Sequence, residues 1–180
     1  MSKRKNLNES FSPAVQAKRL CTVATNANIQ IVFNNIEEKI LEYLKDPHCK
    51  YAAIISPYLS SEPILKECST LAGCSIITAH DRYLKSKKRL DMFNDLIPLK
   101  NARVVTINRG RGRNKTICHQ KIIVLLDYEK RPYTAIAGSF NLTNAAPSNL
   151  ETVTIYKNPT IARAYLDEFE RVWKISKKFI

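Results

Sequence analysis

No apolar run in this 180-residue chain approaches the length needed to cross a bilayer. Its first residues also lack the apolar centre of a secretory signal. The chain is therefore read as soluble and intracellular. There is no Cys-x-x-Cys pair to suggest zinc. Five cysteines (Cys21, Cys49, Cys68, Cys74 and Cys118) make an odd number whose spacing matches no disulfide framework. Free thiols in a reducing compartment are expected, rather than a metal cluster of His48, Cys49, Cys68 and Cys74. There is no internal repeat. Acidic residues are scarce, 16 against 29 lysines and arginines, and none falls between Leu96 and Leu126.

That imbalance leaves a net charge of +13, which favours a polyanionic partner, either nucleic acid or an acidic membrane surface. A hydrophobic fraction of 44% excludes a disordered chain, and the length suits one domain with a real core. Residues 1–28 are polar and read as a basic, flexible N-terminal tail ahead of a single domain over 29–180. The tail's clusters, Lys3-Arg4-Lys5 and Lys18-Arg19, match a bipartite nuclear-import signal weakly. A mitochondrial presequence is the alternative, because Glu9 is the tail's only acid. The expected location is cytoplasmic or nuclear.

Strand and helix patterns alternate through the first part of the chain. A short strand is expected at Ile29–Phe33. Asn34 or Asn35 caps a helix running to about Lys45, with Ile36, Ile40, Leu41 and Leu44 on one face. A buried-type strand follows at Tyr51–Ile55. A second helix capped at Ser60 or Ser61 runs to about Leu71, with Gly73 as its stop, and Ser75–Thr78 forms the next strand. The basic run of residues 81–89 leads into a helix with Leu90, Phe93, Leu96 and Ile97 on its apolar face. Another strand is expected at Val104–Ile107. A closing helix from about Ile161 to Lys177 would bury Ala164, Tyr165, Phe169, Val172 and Trp173. The alternation predicts an α/β fold, a mixed and largely parallel sheet flanked by helices on both faces.

The chemistry concentrates between Asn108 and Thr152. Arg109, Arg111, Arg113 and Lys115 form a glycine-bearing basic loop suited to lie along a phosphodiester backbone, its guanidinium forks taking phosphate oxygens. The bland alternative is a mobile loop that makes no contact. Next come His119 and Lys121 at the head of an apolar run; on a strand, residues two apart share one face. A histidine can be a nucleophile or a proton carrier. Lys121 with Ser139 and Asn141 can hold the oxygens of a phosphate, and Glu151 can orient the His119 ring. Read singly, each residue also has an ordinary role. His119 and Lys121 suit a strand start, Ser139 and Asn141 suit a turn, and Glu151 suits a cap or an ion pair.

Taken together, His119-x-Lys121, Asp127, Gly138-Ser139-x-Asn141 and Asn149-x-Glu151 resemble the signature of the phospholipase D superfamily. More narrowly, the chain resembles its small single-motif nucleases. The resemblance covers roughly residues 29–177, including the closing pattern Pro159-x-x-Ala162-x-x-Tyr165-x-x-x-Phe169-x-x-x-Trp173. It implies a metal-independent phosphodiesterase that needs no cofactor and passes through a covalent phosphohistidine on His119. Single-motif members dimerise so that two His-x-Lys motifs meet, and a homodimer with a shared site is implied here. The chain offers no second His-x-Lys, its other histidines being His48 and His80. One departure stands out. The family usually places four residues between the lysine and the aspartate, and here there are five. In a regular strand the extra residue turns Asp127 to the other face unless a bulge absorbs it, so Asp127 is read as structural. The substrate expected is DNA or RNA. A phospholipase acting on an anionic lipid is the alternative, and a catalytically silent nucleic-acid-binding module the third reading.

Overall fold

The computed structural model describes residues 23–78, 102–106 and 119–178. The N-terminal basic clusters, Cys21, His80, the basic run of 81–89 with the helix after it, Ile107, Arg109, Arg111, Arg113, Lys115 and Cys118 lie outside the described residues. Nine strands among the described residues make one sheet. They are β1 (Val23–Asn26), β2 (Ile29–Val32), β3 (Tyr51–Ile55), β4 (Gly73–Thr78), β5 (Ala102–Thr106), β6 (Ile122–Leu126), β7 (Pro132–Gly138), β8 (Val153–Tyr156) and β9 (Lys177–Lys178). Their spatial order is β1-β2-β8-β7-β6-β3-β4-β5-β9. The helices are α1 (Ile36–Leu44), α2 (Glu62–Thr70) and α3 (Pro159–Ile175).

The α/β class and the mixed sheet agree with expectation, but the balance of pairings does not. Parallel pairing is confined to β3-β4-β5, and the other neighbours run antiparallel. The reason is connection length. Only the strands joined through helix-length segments can return parallel, whereas β6 and β7 are joined by a tight turn, which forces antiparallel pairing. Strand β1 is a further difference, since it falls inside the stretch read as a tail. Val23, Ala24 and Asn26 pair with Ile31, Gln30 and Ile29 across an Ala27-Asn28 turn.

Side-chain alternation splits the core in two. One layer joins Ile54, Ile76, Ile123, Leu125, Ile136 and Ile155 to α1 (Ile36, Ile40, Leu44) and α2 (Ile64, Leu65, Cys68). The other joins Ile55, Ile77, Val124 and Leu126 to α3 through Ala162, Leu166, Phe169 and Val172. The helices thus lie on opposite faces of the sheet. The buried stripe of α3 is rotated from the expected one. Ala162 and Leu166 face the sheet, Ala164 is exposed, and Tyr165 and Trp173 are half-buried at the margin. The helix starts at Pro159, with Asn158 accepting from Thr160 N and Ile161 N as its cap. Ser61 caps α2 by accepting from Ile64 N at 3.3 Å. Gly73 begins β4 rather than ending α2.

The three described cysteines, Cys49, Cys68 and Cys74, are buried free thiols in the α1/α2 layer. Burial pushes the Cys49 thiol up to about 11. Among the described residues, no group of three or more His, Cys, Asp or Glu stands at metal-holding distance, and no helix is long and apolar enough to cross a membrane.

Asp127 closes the β6–β7 hairpin. Its Oδ1 accepts from Glu129 N and Arg131 N, each at 2.9 Å, and its Oδ2 from Arg131 Nε at 2.8 Å. The Arg131 backbone bond and the Arg131 guanidinium hold this carboxyl below the usual carboxylate range. No bulge in β6 absorbs the extra residue before it. Strand β6 runs regularly against β3 from Ile122 to Leu126. The irregularity lies on β7, where Leu125 faces Thr134 and Leu126 faces Pro132, leaving Tyr133 as the additional residue. A depressed folded-state pKa contributes stability that is present above the unfolded carboxyl's value, about 3.9, and is lost as pH falls through the folded value. Asp127→Ala is therefore expected to lower the melting temperature at neutral pH. The gap from wild type should close as the buffer is taken below the unfolded value, and a gap that stayed constant with pH would contradict this account.

Candidate active site

Strand register brings the candidate residues to one edge of the sheet. The start of β6 (Ile122) lies opposite the end of β3 (Ile55) and opposite Ala137 near the end of β7. Gly138, the last residue of β7, lies opposite Val153, the first of β8, which in turn faces Val32 at the end of β2. His119 and Lys121, Ser139 and Asn141, and Glu151 thus leave three neighbouring strands at the same edge. Strands β4 and β5 end there too, with Thr78 paired to Thr106. Ligands of α/β sheets favour the carboxyl ends of parallel strands. The segments bearing the arginine loop and the basic run attach at Thr106 and Thr78. Asp127 sits just past the opposite end of β6, a strand of five residues, so roughly 20 Å of backbone separates it from Lys121.

His119 and Lys121 stand just ahead of β6 rather than within it. They still share a side: Lys121 Nζ lies 3.1 Å from His119 Nε2 and 3.2 Å from Nδ1, and it donates to the His119 carbonyl at 2.8 Å. Lys121 is 8% exposed, while His119 is open to solvent. The lysine ammonium thus stands about equally close to both ring nitrogens. Gln120 turns the other way, toward α3, and donates to Glu168 Oε1 at 2.6 Å. Arg171, with Gln120 second, holds the Glu168 carboxyl down to about 2. That contact fixes the intervening residue and with it the side presented by its two neighbours. An open hollow of about 400 Å³ lies between Gln120, Ile122, Ile161, Ala164 and Tyr165.

The Ser139–Asn141 segment is held from both sides. Thr152 N donates to Ser139 Oγ at 3.0 Å and Ser139 N to the Thr152 carbonyl at 2.9 Å, which ties it to the residue after Glu151. Beyond Asn141, the Leu142 carbonyl accepts from Ser60 N at 2.7 Å and Ser61 N at 3.0 Å. Leu142 N reaches Ser56 Oγ at 3.4 Å. The loop after β7 is thereby zipped to the loop after β3, a contact that no motif in the sequence announces. Asn141 Oδ1 is shielded from water and has no donor among the described residues. Leaving a buried acceptor unmet costs about 1–3 kcal/mol, a cost that functional sites commonly retain. Glu151 makes no hydrogen bond with His119 among the described residues; the contact of the ring is with Lys121.

A histidine and a lysine meeting at the head of β6, beside a Gly-Ser-x-Asn turn on a mixed α/β sheet, define the phospholipase D class of phosphodiesterase folds. The chain belongs to the family described as "Cardiolipin synthase, PLD-like domain", which matches residues 40–173. Among solved structures it is similar to the phospholipase D family member Nuc from Salmonella typhimurium, with a TM-score of 0.65 at 17% identity over 84% of this chain and 97% of that one. It is similar to NucT from Helicobacter pylori, with a TM-score of 0.68 at 14% identity over 84% and 98%. It also resembles the yeast tyrosyl-DNA phosphodiesterase, with a TM-score of 0.52 at 13% identity over 72% and 31%. These likenesses show the shared fold. No curated protein sequence matches the chain.

Gly138 is the tightest point of the site. A Cβ there would lie 2.1 Å from the Thr152 carbonyl oxygen and 2.8 Å from the Val153 Cα, both backbone atoms that cannot swing aside. Gly138→Ala is expected to destabilise the fold by about 1–3 kcal/mol and to part Ser139 from Thr152. Urea unfolding reads the first effect, and any phosphodiesterase assay reads the second. A variant with wild-type stability would show that β7 and β8 do not close as described.

Proposed function

We propose that the chain is a metal-independent nuclease that cleaves DNA or RNA phosphodiesters through a covalent phosphohistidine, in a site shared by two copies of the chain. The observation that carries the reading is the approach of Lys121 Nζ to within 3.1 Å of the His119 ring, which sets a cation for the phosphate oxygens beside a nucleophile for phosphorus. When a phosphodiester arrives, Lys121, Ser139 and Asn141 take its non-bridging oxygens and offset the charge that builds at phosphorus. The released His119 nitrogen attacks phosphorus, and the bond to the leaving oxygen breaks. A second acid gives that oxygen a proton, and water then cleaves the phosphorus–nitrogen bond, freeing His119. Glu151 stabilises the imidazolium by hydrogen bonding as the ring takes positive charge.

The second acid supports the dimer. Among the described residues the other histidine is His48. It sits just before Lys50, whose N–H bonds the Leu126 carbonyl at the far end of the sheet. His119 of a second copy fills the role across a twofold axis. Leu150, a fully exposed apolar side chain beside Glu151, is suited to be covered by that copy. The family description, with its reference to cardiolipin synthase, keeps a second reading in play: phospholipase D-type cleavage of an anionic phospholipid at a membrane surface. The +13 charge serves either polyanion.

In excess EDTA the purified protein is expected to cut oligonucleotides. His119→Ala should reduce the rate by at least about a thousandfold, as expected when a nucleophile is removed, while leaving the circular dichroism spectrum and the affinity unchanged. Sedimentation should show a dimer. Cleavage that survives in His119→Ala, or that requires added metal, refutes the mechanism, and a fully active monomer refutes the shared site. Running DNA, RNA and anionic phospholipid vesicles side by side decides the substrate.

Replacing Arg109, Arg111 and Arg113 together with alanine should weaken nucleic-acid binding and lower the slope of log K against log salt by about 2–3. An unchanged slope would remove the loop from the binding surface.

A further inference from the structure

Next to the Ser139–Asn141 loop, on the α1 side of the sheet, is a hollow of about 140 Å³ that the phosphodiester chemistry does not use. At roughly 30 Å³ per water molecule, it has room for four or five waters, on the scale of one small heteroaromatic ring. Phe33, Phe140 and Pro147 provide its flat apolar walls, while Asn35, Glu38 and Asn149 provide its polar rim. Phe33 follows β2 at the same sheet edge as Glu151 and is 44% exposed, an unusual position for a large apolar ring. Phe140 is the shared wall. It lies between Ser139 and Asn141 in sequence and also borders the small void beside Lys121. The hollow therefore adjoins the phosphate position.

Its chemistry selects the occupant. Glu38 repels a second phosphate, so the hollow is unlike the basic surfaces that follow a backbone. It suits a neutral flat ring whose edge carries donors for a carboxylate and partners for amides. Asn35 is available for this. It stands at the N-cap of α1 in the left-handed region (φ 52°, ψ 37°) and makes no capping hydrogen bond. Asparagine tolerates that conformation better than most residues. Its amide is thus not engaged in the role the position normally gives it. An unstacked base with one face on an aromatic ring and its edge on amide or carboxylate groups is the recurring mode of single-strand recognition. A base in a duplex has both its faces and its pairing edge occupied and cannot enter.

We infer that this hollow binds the unpaired base of a nucleotide flanking the scissile phosphate, so that the enzyme's substrate class is single-stranded nucleic acid. The inference rests on the nuclease reading above, and the test separates the two. Full-length wild type, Phe33→Ala and Phe33→Trp are assayed in EDTA on matched single-stranded and duplex oligonucleotides. In parallel, binding is followed with a single-stranded DNA carrying 2-aminopurine beside the scissile position. Phe33→Ala should raise the single-strand KM about tenfold, within the range for losing one base–aromatic stack, and leave kcat unchanged. Phe33→Trp should restore KM. The 2-aminopurine fluorescence should be quenched by wild type and Phe33→Trp but not by Phe33→Ala. A wild type that prefers duplex, a Phe33→Ala KM equal to wild type, or unquenched 2-aminopurine overturns the base subsite and leaves the nuclease standing. A wild type that hydrolyses anionic phospholipid vesicles and neither binds nor cuts oligonucleotides overturns both.

Discussion

The close approach of β7 to β8 at Gly138 is the constraint on which the site depends. Because Gly138 carries no side chain, the Thr152 carbonyl can occupy the space a Cβ would need. That approach lets Ser139 and Thr152 exchange hydrogen bonds through backbone and hydroxyl. It sets the turn bearing Asn141 beside the segment bearing Glu151, while Gly138 N reaches back to the Lys121 carbonyl at 3.3 Å. Three strand ends are thereby registered against one another. Their side chains can converge although they are separated by up to 32 positions in sequence, from His119 to Glu151.

The two faces of the sheet divide the labour. On the α3 face, Gln120, Glu168 and Arg171 form a charge-assisted chain that holds the backbone just ahead of β6. On the α1 face, His119 and Lys121 emerge beside Phe140 and the hollow behind it. Pleat alternation makes this possible, since a residue anchored on one side fixes what its neighbours present on the other. The hairpin turn around Asp127, at the remote end, stabilises the same two strands without touching the chemistry.

Much of this was legible in the sequence, for physical reasons particular to each segment. The runs Tyr51–Ile55 and Ile122–Leu126 are short, apolar and bounded by polar residues, so their burial followed directly. Ser61 is a strong cap and located its helix well. Pairing direction was harder to read. It depends on which strands lie side by side, and the insertion of β6 between β3 and β7 is a long-range outcome without a local signal. Strand β1 was missed because Val23–Asn26 is short and mildly polar, although the Asn-Ala-Asn turn after it was a usable cue. The stripe on α3 was displaced because the large rings of Tyr165 and Trp173 outweighed small, fully buried Ala162 in the apolar pattern. Of the candidate site, the residues that the strand ends bring together were named by motif and spacing. The zipper from Leu142 to Ser56, Ser60 and Ser61 was not, since it consists mostly of backbone groups.

The Lys121 contact on the His119 ring has a consequence for the resting protein. A bare imidazole at an exposed strand edge is a ready ligand for stray zinc, copper or nickel, all of which compete well for nitrogen donors. Here an ammonium stands within 3.2 Å of both ring nitrogens, and its positive charge repels an approaching cation. Transition-metal ions are therefore poor partners for this imidazole, whereas an anion is drawn toward the same lysine.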